Sequence, residues 1–248
     1  MIVEMHLVFF MKNSKFMMHS NDKPMENRRK WLSFISMITA IALLTNCARQ
    51  SHIAPKALLC EAQTNPSGIA TAKPRLNWKN EASTNGARQS AYQVLAASSA
   101  SLLDEEKADL WNSGKVSSSR SVWIPYAGRA LQSRAVVFWK VKVWDQEGVP
   151  SDWSETQQFS VGLLHADEWK GEYIGMDSVK AALESPLLRK TVVLAEKYDA
   201  LYLHVNSLGY HEIYINNKKV GDAVLAPAES QYDKRSFSLS YDVSPYLR

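Results

Sequence analysis

Four carboxylates near the end of the chain are the side chains best suited to acid–base chemistry: Glu212, Asp222, Asp233 and Asp242. Two carboxyl groups held on opposite sides of one bond can act as general acid and general base. Each of the four falls at a predicted turn or at the end of a predicted strand, where a carboxylate is usually solvated or caps the turn. The sequence therefore predicts no catalytic residue among them.

No other arrangement of reactive residues stands out. The sequence shows no Ser/His/Asp order, no glycine-rich phosphate loop and no Cys or His spacing typical of a zinc site. Its two cysteines are Cys47 and Cys60, and we expect Cys60 to be a buried free thiol. We predict neither a metal nor any other cofactor.

Residues 201–222 carry the clearest candidate for a binding surface. They read LYLHVNSLGYHEIYINNKKVGD, and the alternation predicts two strands joined by a kink at Leu208-Gly209, followed by a tight turn at Asn216-Asn217. The common two-residue hairpin turn needs positive φ at both central positions. Asn tolerates that region better than other non-glycine residues, so the pair favours a hairpin.

One face of the second predicted strand is polar and aromatic. Tyr210, Glu212 and Tyr214 share this face, opposite Ile213 and Ile215. Tyrosine rings can stack on the apolar side of a sugar, and a carboxylate can accept hydrogen bonds from its hydroxyls. We predict that Tyr210, Glu212 and Tyr214 form a carbohydrate-contact strip. The alternative is that other strands or a further domain cover this face.

Residues 57–162 consist of short strands separated by turn signals, a pattern typical of an antiparallel sandwich with about seven strands. In the clearest strand, RAVVFWKVKVWD, alternation predicts an inward set and an outward pair of lysines: Val137, Trp139, Val141 and Val143 against Lys140 and Lys142. Six tryptophans lie from Trp78 to Trp153. We expect them to belong to the core rather than to a sugar platform.

Motifs in two regions resemble the N-terminal part of bacterial α-L-rhamnosidases of glycoside hydrolase family 78. In the first region CEAQTNPSGI, PRLNW, DLWNSGKV, FWKVKVWD and DWSETQQF are similar to the fibronectin type III-like domain of these enzymes. In the second, GYHEIYINNKKVGDAVLAP, QYDKR and YDVSPYLR are similar to their jelly-roll domain. Many relatives carry a Gly-Trp-Thr-like step where this chain has Ala228-Glu229-Ser230.

The resemblance implies an all-β chain, with a fibronectin type III-like sandwich followed by an incomplete jelly-roll β-sandwich. It also implies hydrolysis of terminal α-L-rhamnose from glycans with inversion, by an acid and a base in an (α/α) barrel downstream of these domains. No long amphipathic helix follows the leader, so we expect the barrel to be missing from this chain. The chain alone is then predicted to be inactive, with rhamnose-containing glycans and the catalytic domain as partners.

The basic charge of the sequence belongs to its leader. Residues 1–47 hold six of the 29 basic and three of the 25 acidic residues, leaving 23 basic against 22 acidic residues. No basic patch remains that would favour a nucleic-acid partner.

A lipoprotein-type signal peptide is predicted to start at Met25, which we take as the natural start. The stretch MENRRKWLSFISMITAIALLTNC has a positive n-region and an apolar run too short for a comfortable membrane span. Its end resembles a bacterial lipobox, which makes Cys47 the lipidation site and the membrane contact a lipid anchor. Asn46 departs from the usual Gly, Ala or Ser, and the alternative is an uncleaved anchor. We expect an exported protein, periplasmic or on the cell surface.

The predicted organisation has five parts: a leader at residues 1–47, a tether at 48–56, the first domain at 57–162, a junction at 163–175 and the incomplete jelly roll at 176–248. A stand-alone surface lipoprotein that binds carbohydrate without cleaving it is the alternative function. A pair of spacer domains without a ligand is the third. An open frame beyond codon 248 that encodes more strands and a helical barrel would favour the enzyme.

Overall fold

The computed structural model describes residues 50–175, 187–194 and 200–247. The predicted leader and Cys47 lie outside these residues. Residues Gln50–Arg248 belong to one compact unit. In the described part of this unit the regular structure is β-strand, with three-residue 3-10 turns at Ala100–Leu102, Ala166–Glu168 and Ser244–Tyr246. None of the described helices is long and apolar enough to cross a membrane.

Twelve strands are described. In chain order they are β1 (Ile53–Cys60), β2 (Arg75–Ala82), β3 (Gln89–Ala97), β4 (Trp111–Asn112), β5 (Val116–Ser117), β6 (Ile124–Pro125), β7 (Val136–Asp145), β8 (Gln157–Ser160), β9 (Tyr202–Asn206), β10 (Tyr214–Ile215), β11 (Lys218–Lys219) and β12 (Ser238–Asp242). All the strand pairs between them are antiparallel. The all-β prediction is thus confirmed.

The first domain is a sandwich of two sheets. One sheet has the order β1-β2-β6, and the other has the order β4-β3-β7-β8, with β5 also paired to β3. Because β4 and β5 lie along the same strand, they form one interrupted edge and the sandwich has seven strand positions. Pro125 lies in β6 at a sheet edge, where a residue without an N–H is tolerated.

The core of this domain follows the predicted alternation of β7. The inward set is buried to 0% or 1% exposure, and the two lysines are half-buried on the other face: Val137, Trp139, Val141 and Val143 against Lys140 and Lys142. Burying an aliphatic side chain of this size contributes about 1.5–3 kcal/mol relative to exposure. This strand therefore anchors the sandwich.

The tryptophans divide between core and surface. Trp78 and Trp139 are in the core, whereas Trp123 is 45% exposed. The expectation that the six belong to the core is thus wrong for Trp123. Its indole ring lies 4.4 Å from the guanidinium of Arg75, a cation–π contact that needs no burial.

The first strand begins earlier than the alternation suggests. β1 starts at Ile53, inside the segment predicted to be a tether, and Ile53 is 3% exposed. The His52 N–H donates a 3.1 Å hydrogen bond to the carboxylate of Asp145. A partner so distant in sequence holds these residues in the sandwich, and no local pattern indicates it.

The second domain contains two small ribbons in its described part. β9 pairs with β12, and β10 pairs with β11. The apolar run PLLRKTVVL favours a strand by its pattern. Residues 187–194 nevertheless form no strand, and Val193 is 89% exposed. Among the described residues no strand pairs with this segment, and a strand needs such a partner to complete its backbone hydrogen bonds.

Candidate functional site

The predicted turn at Asn216-Asn217 positions the side chains of the candidate site. Both residues have positive φ, 50° and 65°, as a type I′ turn requires. The turn sets the register of the hairpin, in which Tyr214 lies opposite Lys219. It therefore brings Lys219 to the side chains that precede the turn.

Glu212 is the centre of this hairpin site. The Tyr214 hydroxyl donates a 2.9 Å hydrogen bond to Oε2 of Glu212, and Nζ of Lys219 donates a 2.5 Å hydrogen bond to Oε1. Lys219 is not among the residues predicted for the strip. The cross-strand partner of Tyr214 follows from the turn length, so the signal was present in the sequence.

Charge within the site favours the ionised carboxylate. The hydrogen bond from Lys219, then that from Tyr214, lowers the pKa of Glu212. The same contacts raise the pKa of Lys219 and that of Tyr214. Glu212 is therefore an anion at neutral pH and is unsuited to act as a general acid. Its side chain remains 48% exposed, so its free lone pairs can accept hydrogen bonds from a ligand.

Tyr210 stands apart from this cluster. It is 57% exposed, next to Gly209 with a φ of 118°. Among the described contacts, no hydrogen bond or ring contact joins Tyr210 to Glu212 or Tyr214. The structure thus brings two of the three predicted strip residues together and adds Lys219. Tyr214 presents a ring that is 59% exposed.

A hydrogen-bonded chain fixes the kink that precedes the strip. His211 contacts the Tyr241 hydroxyl through Nε2 at 3.0 Å and the Ser207 hydroxyl through Nδ1 at 2.7 Å. Ser207 donates its own proton to the carbonyl of Gly209, at 2.8 Å. The Ser207 hydroxyl therefore does not donate its proton to the imidazole of His211, as a nucleophilic serine would donate its proton to a general base. These hydrogen bonds connect the kink to Tyr241 in β12.

The remaining carboxylates are turn and cap residues. The N–H of Ser244 donates a 3.0 Å hydrogen bond to Asp242, which caps the following 3-10 turn. Asp222 and Asp233 are exposed. Among the described contacts, no hydrogen bond or ion pair joins any two of Asp222, Asp233 and Asp242, and none joins one of them to Glu212. The described residues contain no group of three or more His, Cys, Asp or Glu that could hold a metal ion.

The hairpin site lies on the exposed surface, since Tyr214 and Glu212 are 59% and 48% exposed. A cavity of about 180 Å³ lies in the first domain, between the edges of β1 and β8. Its wall includes Pro55, Lys56, Glu155 and Gln157. The arrangement around Glu212 can stack a ring and accept hydroxyl protons, but it has no second carboxyl group for acid–base hydrolysis.

Two family models match this chain. The N-terminal immunoglobulin domain described as Rha78A-like matches residues 55–165. The alpha-L-rhamnosidase N-terminal domain matches residues 196–248. The two matches cover the sandwich and the two ribbons of the second domain, in that order.

Known proteins show the same relationship. Two alpha-L-rhamnosidases of Formosa agariphila are 36% and 35% identical to the chain, over 77% and 87% of its length. A solved alpha-L-rhamnosidase of Dictyoglumus thermophilum superposes with a TM-score of 0.70 at 33% identity, over 79% of the chain. The chain spans only 22% and 24% of the two Formosa proteins and 24% of the Dictyoglumus chain.

Proposed function

The chain belongs to the α-L-rhamnosidase family, since both of its matched regions correspond to N-terminal domains of that family. We propose that it is the accessory N-terminal part of an enzyme that removes terminal α-L-rhamnose from glycans. The observation that carries this proposal is the succession of both family domains in one chain, at 36% identity to one such enzyme. An accessory part of this kind would present or position the glycan, while the acid and base lie in the catalytic domain.

The chain by itself is expected to be inactive. Hydrolysis with inversion requires two carboxyl groups about 6.5–9.5 Å apart with a water between them. Glu212 is held as an anion by Lys219, and Asp242 is occupied as a turn cap. With these contacts, Glu212 and Asp242 do not form an acid and base pair facing one cavity.

An aryl α-L-rhamnoside tests this expectation. Purified residues 48–248 should release no aryl group above the buffer background, while a complete α-L-rhamnosidase in the same buffer does. Release that disappears in Glu212→Gln or Asp242→Asn would place catalysis within this chain and overturn the accessory function.

We propose that Tyr214 and Glu212 form the carbohydrate-contact strip, and that Tyr210, which none of the described contacts joins to them, is not part of it. The exposed ring of Tyr214 suits the apolar methyl side of a 6-deoxy sugar, and Glu212 suits its hydroxyls. An aromatic contact of this kind contributes about 0.5–1.5 kcal/mol, so binding to a single sugar would be weak.

Calorimetric titration with L-rhamnose tests the strip, with L-mannose, which lacks the methyl group, as the matched sugar. Tyr214→Ala should weaken rhamnose binding up to about tenfold. Tyr232→Ala changes another exposed tyrosine and should leave binding unchanged. Equal affinities for both variants, or no difference between the sugars, would remove the strip from the proposal.

We further propose that the protein is exported and anchored by a lipid on Cys47. The positive n-region, the apolar run and the lipobox-like ending support this localisation. Cys60 offers no competing site, because it is 2% exposed and burial, followed by the charge of Glu61, raises its pKa to about 12. Labelled fatty acid should enter the expressed protein and be absent from Cys47→Ala. Incorporation that persists in this variant would contradict the assignment.

A further inference from the structure

The two domains meet at a seam that sequence analysis did not anticipate. On the side of the first domain the seam consists of the turn at Gly68, with Ser160 and Gly162 behind it. On the side of the second domain it consists of Ser240 on β12 and its partner His204 on β9. Gly68 and Ser240, which meet at this seam, are more than a hundred residues apart in the chain.

Gly68 makes the closest approach. A side chain built at Gly68 would overlap Cβ and Oγ of Ser240, and Cα of Ser240 would lie 3.5 Å from it. Behind Gly68, a Cβ at Gly162 would lie 3.0 Å from the Gly68 carbonyl oxygen. Gly68 also has a φ of 75°, which disfavours a side chain on its own account. The backbone of the turn is thus pressed between the two domains.

Polar contacts continue the seam from this point. The Gly68 N–H donates a 3.1 Å hydrogen bond to Ser160, which is 3% exposed. On the other side of Ser240, its hydroxyl lies 2.7 Å from Nδ1 of His204. Ser240 therefore links the imidazole directly to the point of closest approach.

Burial and neighbouring charges shift the pKa values of two titratable side chains near the seam, His204 and Tyr202. Burial, and then the positive charge of Arg134 in the first domain, lowers the pKa of His204. Arg134 itself lies 3.5 Å from Glu168, which partly offsets its charge. Burial raises the pKa of Tyr202 on β9, and the charge of Asp242 on β12 raises it further. A proton on His204 would add a second positive charge near Arg134 in a half-buried place.

We propose that this seam is an acid-sensitive clamp, in which protonation of His204 releases the second domain from the turn at Gly68. Because docking lowers the pKa of His204, the released form takes up the proton more readily. Release therefore grows as the pH falls below the ordinary histidine value of about 6.5. The ratio of released to docked molecules rises by about tenfold for each unit by which docking lowers this pKa.

A distance measurement between the domains tests the clamp. The full chain carries Cys47→Ser and dye-labelled cysteines at the exposed positions Asp152 and Asp233, while Cys60 stays buried. Energy transfer between the dyes should be high at pH 7.5 and should fall reversibly at pH 5. His204→Gln, which cannot gain the charge, should keep high transfer at both pH values.

Three variants complete the design. His211→Gln changes another histidine of lowered pKa that contacts Ser207 and Tyr241 rather than the seam, and should respond to acid like the parent. Arg134→Gln should show a smaller acid response. Gly68→Ala should show low transfer already at pH 7.5, with tryptophan emission confirming a folded first domain. Equal transfer at both pH values in the parent, or an unchanged acid response in His204→Gln, would overturn the clamp. Normal transfer in Gly68→Ala would overturn the docking contact.

Discussion

The buried carboxylate of Asp145 should be among the most sensitive positions of the first domain. Asp145 ends β7 with 0% exposure and accepts three backbone hydrogen bonds. The donors are the N–H groups of Glu147 at 3.0 Å, Val149 at 2.9 Å and His52 at 3.1 Å. The carboxylate thereby closes the turn after β7 and attaches the segment that leads into β1.

The magnitude follows from these three bonds. A hydrogen bond to a charged group contributes about 1.5–3 kcal/mol. The sum overstates the loss in Asp145→Ala, because water can reach some of the freed donors, and we expect the free energy of unfolding to fall by about 3–5 kcal/mol. Asp145→Asn can keep Oδ1 on Glu147 and Val149 but turns an amide N–H toward the N–H of His52. We expect this change to cost about 1–3 kcal/mol.

Urea unfolding of residues 48–248 measures both values. Tryptophan emission reports the first domain, because Trp169 in the junction is the only tryptophan after Trp153. Asp152→Asn is the control, since Asp152 is exposed on the neighbouring turn and should change stability by less than about 0.5 kcal/mol. If Asp145→Ala matched that control, the three-bond account of Asp145 would be refuted.

The pH dependence provides a second check on the same residue. Burial alone would raise the pKa of Asp145, but the N–H groups of Val149, His52 and Glu147 hold it below the ordinary value. A depressed pKa contributes stability that is present above the unfolded value of about 3.9 and is lost as the pH falls through the folded value. The stability difference between the parent and Asp145→Asn should therefore shrink in this acid range and stay constant above pH 5.

Three further predictions concern the turn, the indoles and the thiol. Asn217→Gly should stabilise the hairpin by a few tenths to about 1 kcal/mol, and Asn217→Val should destabilise it by more, since only valine is strained at a positive φ. Thermal unfolding followed by circular dichroism measures both changes. One common midpoint for the parent and both variants would mean that the turn lies elsewhere. Trp78→Phe should lose about 1 kcal/mol more stability than Trp139→Phe in urea unfolding. The Trp78 indole donates a 3.0 Å hydrogen bond to Gln89, whereas the buried Trp139 indole N–H has no partner among the described residues. The reverse order would contradict this. Cys60, with its pKa raised to about 12, should not react with a thiol-specific disulfide reagent at pH 8 until urea unfolds the domain, and rapid labelling of the native protein would show that it is not buried.

Local patterns were sufficient for much of the first domain. The alternation in β7 predicted which side chains are buried, because successive residues of a strand point to opposite faces and only one face meets the core. The Asn216-Asn217 turn was predictable for a similar reason, since few residues adopt positive φ. The family motifs followed the same order in the sequence as the domains do in the fold.

Contacts between distant segments could be seen only in the tertiary structure. β1 begins at Ile53 because Asp145 binds the preceding N–H from 93 residues away. Residues 187–194 have a strand-like sequence, but no strand in the described part of the chain pairs with them and they form no strand. Tyr202 and His204 lie two residues apart in β9, and the contact of His204 with Ser240, which meets Gly68, depends on the packing of the two domains. A sequence pattern records which face is apolar, whereas the neighbour that covers a polar face depends on how remote elements pack together.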